Sequence, residues 1–156
     1  MVFGGYRMEP TVVTWLLLAF GAITLAPLFF AQSILLLKPH GQEAKDILVA
    51  KGEDWRDRTH FRFALGAAWA DWLVVVPLLA FGSIGVAIGI AWGYVLWGAA
   101  GAISLYINII LWVTEKEYVY PSRGPLAYYS YYWGFFVYWG ALALVYSALR
   151  LSGVEL

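Results

Sequence analysis

The chain has no cysteine and little charge: of its 156 residues, 13% are Asp, Glu, Lys or Arg. The missing cysteines exclude disulfides, thiolate catalysis, covalent haem attachment through cysteine, and cysteine-ligated zinc or iron–sulfur centres. They do not assign a compartment. Ten basic and ten acidic residues give a formal net charge of zero. That argues against a nucleic-acid partner, because phosphate binding demands a basic surface. Histidine is scarce too. His40 and His60 lie 20 residues apart, and neither has a neighbour at metal-ligand spacing, so no metal site is expected; two histidines still leave a bis-histidine haem open, and the cofactor is unknown. GxSxG, HExxH, P-loop and Rossmann glycine patterns are also missing. The carboxylate pairs Glu115/Glu117 and Asp54/Asp57 fall in polar segments and read as ordinary solvated charge.

Apolar surface is what the chain has in excess. Hydrophobic residues make up 62% and aromatics 19%, with a mean hydropathy of +0.71. A soluble domain is nearer half apolar and a quarter charged, so the solvent this composition suits is a bilayer. Four runs exceed the ~18–20 apolar residues needed to cross ~30 Å of hydrocarbon. They lie at about 11–37, 61–81, 85–113 and 126–149. Together they predict a single all-α domain, a bundle of four transmembrane helices. Pro10 suits the first turn of the first span, and Pro27 should kink it. That first run is too long for a signal-peptide core and has neither a basic leader nor a small-residue cleavage site. It is therefore expected to be a retained span.

The second and third runs are separated only by GSIG (82–85), which predicts a tight antiparallel hairpin. Two polar links remain, 38–60 and 114–125. Within the first, QEAKDILVAK predicts a short helix on the membrane surface that Gly52 can end. Four spans place both termini on one side, with Arg7 and Arg150. The other side carries Lys38, Lys45, Lys51, Arg56, Arg58, Arg62, Lys116 and Arg123. Basic residues favour the cytoplasm, so both links are expected there and both termini outside, in a multi-pass protein of an inner or plasma membrane.

Gly85, Gly89 and Gly93 form a tandem GxxxG, continued by Gly98 and Gly101. On the same side fall Trp97, Ser104, Asn108 and Trp112. Small residues let helices approach, and Ser and Asn can hydrogen-bond between them. The partner is either the chain's own bundle or another chain. Tyr128, Tyr129, Tyr131, Tyr132 and Trp133 read as an aromatic belt at the bilayer interface. Tyr138 and Trp139 lie deeper, where a tyrosine needs a hydroxyl partner.

The residue least suited to its surroundings is Asp71, in AAWADWLVVVP (67–77). At ~1.5 Å per residue it lies ~16 Å along the helix from His60, near the bilayer midplane. An aspartate there costs ~2.5–3.5 kcal/mol on insertion scales. Two readings stay open. In one, a protonated Asp71 bonds a single neighbour and fixes helix register. In the other, Asp71 is the end of a polar funnel open to the cytoplasm, lined by Gln32, Ser33, His60, Arg62, Ser104, Asn108 and Tyr138. His60 and Arg62 read first as anchors at the cytoplasmic headgroups, with binding of an anionic headgroup or substrate as the second reading.

The layout of four spans, with a basic loop leading into the second through DRTHFRF (57–63), resembles the membrane-associated eicosanoid and glutathione metabolism enzymes. Counting from His60, Arg62 and Leu65 stand where that family's signature has asparagine and glutamate. The likeness is one of architecture, and no glutathione site carries over. The leading expectation is a small membrane protein with a polar pocket around Asp71, binding or moving a proton, an ion or a lipid-like ligand. The alternatives are a non-catalytic subunit of a larger membrane complex, or an enzyme acting at the membrane edge. Membrane lipids, and a second copy or partner subunits, are the expected neighbours.

Overall fold

The computed structural model describes residues 7–126 and 134–156, without the side chains of 114–126, 134 and 135. All regular structure among the described residues is helical, apart from one isolated bridge between Arg7 and Ile90. In chain order the helices are α1 (Val12–Leu37), α2 (Gln42–Leu48), α3 (Arg58–Ala70), α4 (Val76–Ala87), α5 (Ala91–Leu126) and α6 (Gly134–Leu151). A π-helical turn, Asp71–Val75, joins α3 to α4 without a break. Three stretches are long and apolar enough to cross a membrane: Val12–Leu37, Arg58–Ala87 and Ala91–Val113. The fourth expected span is described only from Gly134, where the apolar stretch Phe136–Leu151 is shorter. The belt residues Tyr128, Tyr129, Tyr131, Tyr132 and Trp133 lie outside the described residues.

Three expectations about boundaries are corrected. GSIG is not a turn: α4 continues to Ala87, and the reversal falls at Ile88–Ile90. The reason is Gly89, whose φ of +73° is a left-handed conformation that ends a helix and disfavours other residues. Residues 114–125 are not a loop either, since α5 continues to Leu126. Glu115, Lys116 and Glu117 are good helix formers and give it no reason to stop. Finally, α2 ends at Leu48, and Gly52, at φ +82°, belongs to the turn beyond it.

The chain divides into two compact units, one of residues up to Thr24 together with Leu78–Leu156, the other Leu25–Pro77. The division falls beside Pro27 on α1 and at Pro77, two residues that cannot donate the backbone bond a helix expects.

In the first unit, Thr11 starts α1. Its carbonyl accepts the first helical bond, from Trp15, and its N–H donates to Thr14 Oγ1 at 3.1 Å, half of a capping box. Leu17, Val86, Tyr94, Trp97 and Tyr146 form the core. Glycine sets the closeness of the helices. A Cβ on Gly85 would lie 2.6 Å from Gly93 Cα, and one on Gly101 would lie 2.8 Å from the Gly140 carbonyl oxygen. Gly21 lies beneath the Trp139 indole, which donates to the Leu17 carbonyl at 3.1 Å and meets Trp97 edge-on at 6.2 Å.

The second unit is built around Leu35, Ala44 and Ala68, all fully buried. Ala44 and Leu48 put the apolar side of α2 onto this cluster, together with Trp55, Phe61 and Leu65. Lys45 reaches back to Asp54 at 2.7 Å, and Asp57 caps α3 by accepting from the amides of Thr59 and His60.

Candidate functional site

The site begins with a proline. Pro77 has no N–H, and its ring crowds the carbonyl of Leu73, four residues earlier. The helix responds by widening: the Val76 amide bonds to the Asp71 carbonyl, five residues back. Such π turns collect at functional positions, because they re-aim side chains that a regular helix would hold in register. Asp71 is the first residue of this one. Its own N–H is shared between the carbonyls of Ala67 and Ala68, so the backbone is satisfied and the carboxylate is left to find other partners.

The partner is Gln32 on α1, whose Nε2 donates to Asp71 Oδ2 at 3.1 Å. Gln32 is 7% exposed, and its other end, Oε1, is buried with no hydrogen-bond partner among the described residues. Asp71 itself is half-buried, between the exposed indoles of Trp69 and Trp72. The pair therefore has a closed side and an open side. Its unmet capacity is chiefly acceptor capacity: the remaining carboxylate lone pairs and one amide oxygen, against a single further Nε2 N–H. A group that donates hydrogen bonds, or a cation, complements it. An anion does not.

Other expected lining residues are placed individually. Ser33 donates to the carbonyl of Phe29 at 2.6 Å, turning its hydroxyl onto its own helix. His60 is half-buried and meets the Trp55 indole edge-on at 5.4 Å, while His40 stacks on Phe61 at 5.1 Å. At helical spacing His60, Ala64, Ala68 and Asp71 share one face. Arg62 is exposed, off the face that buries Ala68. Among residues expected to meet, the structure joins Gln32 to Asp71. Ser104 and Asn108 belong to the first unit, both buried, with Asn108 Nδ2 donating to the Ser104 carbonyl at 2.7 Å. Tyr138, also in that unit, is 56% exposed.

Carboxylates on α2 and in the segment leading into α3 are held ionised. The His60 and Thr59 amides that Asp57 caps lower its pKa from the ordinary 3.8. Asp54 is lowered by Lys45 and by the Trp55 amide, and Asp46 by Gln42 and the Gly52 amide.

The glycine stripe needs correction. Gly85, Gly89 and Gly93 do not lie along one face of one helix. Gly85 is on α4, Gly89 is in the reversal against the Met8 carbonyl, and Gly93 is on α5 facing Gly85. Gly101 does pack a helix, against Gly140 of α6, a residue that pattern reading passed over because it lies alone among aromatics.

Reading the sequence also missed a buried polar cluster. Arg150 had counted only toward topology, yet it is 3% exposed, with Nη2 donating to the Glu9 carbonyl at 2.6 Å. Thr14 Oγ1 bonds the hydroxyls of Tyr146 at 2.7 Å and Tyr94 at 3.3 Å. The signal available was spacing: Tyr146 and Arg150, like Tyr94 and Gly98, are four apart and share a helix face.

No protein-family model, curated protein or solved structure matches the chain.

Proposed function

We propose that the chain is a four-span membrane protein of an inner or plasma membrane that binds, and on this reading moves, a small donor ligand at Asp71 and Gln32. A proton or a monovalent cation is the simplest such ligand. In this arrangement α4 and α5 form the hairpin between the second and third spans, the α2-bearing segment faces the cytoplasm, and the termini lie outside. Access is from the cytoplasmic side, along the face that carries His60.

The observation that carries the reading is the Gln32–Asp71 pair: an acidic side chain deep in an apolar helix, at a π turn, bonded to a buried amide whose oxygen still faces an unmet donor requirement. A purely structural aspartate would be expected to exhaust its neighbour's hydrogen bonds. This pair keeps acceptors in reserve, and ionisable groups inside a membrane mark ion and proton paths by default.

The test is flux. The chain is reconstituted into liposomes with an internal pH dye, and a proton or potassium gradient is imposed. Wild type should dissipate one of them, and Asp71→Asn should slow it by at least about tenfold, the scale of removing ~1.4 kcal/mol of binding. Equal leak from wild type and Asp71→Asn, for protons and for potassium, removes transport from the proposal.

A further inference from the structure

A second site lies at the other polar cluster. The Arg150 guanidinium is withdrawn almost wholly from solvent, and among the described residues no salt bridge joins it to an acid, Glu9 pairing instead with Arg7. Nη2 has the Glu9 carbonyl, and the Tyr94 ring lies 5.5 Å from Cζ. Among the described residues Nε and Nη1 are buried without an acceptor, and one turn away Ser147 Oγ is buried without a partner. Burying an arginine without a countercharge is among the costliest arrangements a fold can keep. A carbonyl and an aromatic face offset only part of that cost.

Beyond the Glu9 carbonyl and the Tyr94 ring, what lies near the guanidinium is a set of hydroxyls and a helix N-terminus. Tyr94, beneath it, bonds Thr14 in the first turn of α1, and Tyr146 bonds both Thr11 and Thr14. The cluster therefore gathers at the α1 N-terminus, whose unpaired amides and dipole attract negative charge. Arg150 sits in the last turn of α6, where the dipole of that helix favours a cation and holds it in place. Arginine, hydroxyls and a helix N-terminus converge, and the partner they lack is an anionic oxygen.

We infer that Arg150, with Ser147 and the start of α1, forms a binding site for a phosphate group. The nearby segment Met8–Glu9 is tied down by the Met8 amide on the Gly89 carbonyl at 2.7 Å and by the Arg150–Glu9 bond. The phosphate enters when that segment lifts. Free phosphate and the headgroup of a phospholipid present the same chemistry, and the two sources are told apart by experiment. This inference is independent of Asp71, because every residue it uses belongs to the first unit.

The full chain is purified in an uncharged detergent and its thermal unfolding followed by tryptophan fluorescence. Inorganic phosphate is titrated against chloride at equal ionic strength, and in parallel micelles are doped with phosphatidylglycerol or phosphatidylcholine. A ligand of the native state raises Tm in proportion to the logarithm of its concentration. Phosphate that raises Tm, with the response weakened about tenfold or more in Arg150→Lys because the planar fork is lost, establishes a free-phosphate site. A response only to the phospholipids, equally dependent on Arg150, assigns the headgroup. Glu9→Gln distinguishes the internal alternative, in which the Glu9 carboxylate turns in to neutralise Arg150. If Glu9→Gln lowers Tm while neither phosphate nor phospholipid changes wild type, the countercharge is the chain's own and the inference fails. It fails equally if wild type responds to no phosphate source and Glu9→Gln is silent. Because the lack of a Tm response of wild type to any phosphate source already overturns the inference, the test stands even if Arg150→Lys does not fold.

Discussion

Asp71, half-buried, and Arg150, almost wholly buried, are an acidic and a basic side chain in different units, and their surroundings differ in kind. Among the described residues the side chain of Asp71 is hydrogen-bonded to Gln32, at a point where the helix itself is widened next to a proline. Arg150 lies in a network that runs from Glu9 through the hydroxyls of Tyr94, Tyr146 and Thr14, in a unit whose helices close on each other through glycine. One site is a local irregularity with spare acceptors. The other is a packed junction with spare donors. The contrast teaches that burial alone does not identify a ligand. The sign of the unmet hydrogen-bonding capacity is the further property that separates the two proposals, spare acceptors at Asp71 and spare donors at Arg150.

The largest effect expected from breaking this comparison is in the glycine-packed unit. In Gly93→Leu the first side-chain atom alone would lie 2.4 Å from the Gly85 carbonyl carbon. Since backbone cannot give way as a side chain does, the loss should exceed the usual ~1–3 kcal/mol of overpacking, read as loss of the folded species in a detergent unfolding titration. Gln32→Leu should come next. It leaves the Asp71 carboxyl without its amide and should cost ~1–3 kcal/mol, the penalty for orphaning a buried polar group, measured the same way. Gly66→Ala sharpens the contrast from the opposite direction. In α3 a Cβ at this position meets nothing within 4 Å, so alanine should stabilise by ~0.5–1 kcal/mol by restricting the unfolded chain.

The smallest effect concerns pH. Asp57 has its folded pKa below the ordinary 3.8. The cap's contribution is therefore complete above that value and is lost as pH falls through the lower folded one. The amide resonances of Thr59 and His60 should shift together in that acid window, and Asp57→Asn should remove the titration.

Hydropathy alone makes three long apolar helices visible, because length and the scarcity of charge are properties of composition. Asp71 stood out for the same reason, and Gln32 was picked as a lining residue from its depth. What stayed hidden was rotation. Arg62 belongs to the same span as Asp71, yet a two-residue offset from His60 turns it away from the buried face. The π turn was hidden as well, although its cause, Pro77, is plain: a proline announces a disturbed helix without saying whether the helix bends, breaks or widens. Gly89 shows the same difficulty. Its spacing from Gly85 and Gly93 is that of a packing stripe, and only its positive φ reveals that it ends a helix instead. Arg150 was hidden because a basic residue near the end of an apolar run is ordinarily a headgroup anchor. Its burial depends on partners elsewhere in the chain: the Glu9 carbonyl, 141 residues away, and the Tyr94 ring on another helix.

The most direct test of the central proposal, a donor-binding site at Asp71 and Gln32, is the infrared carboxyl stretch of Asp71 in lipid. It would be followed by difference spectroscopy across a pH titration and on adding potassium, with Asp71→Asn to assign the band. The account predicts a band that gains and loses intensity with pH, or with the cation, and whose frequency shifts in Gln32→Leu. A band unchanged by pH, cation and hydration would mean a sealed carboxyl that only sets helix register, and would contradict the account.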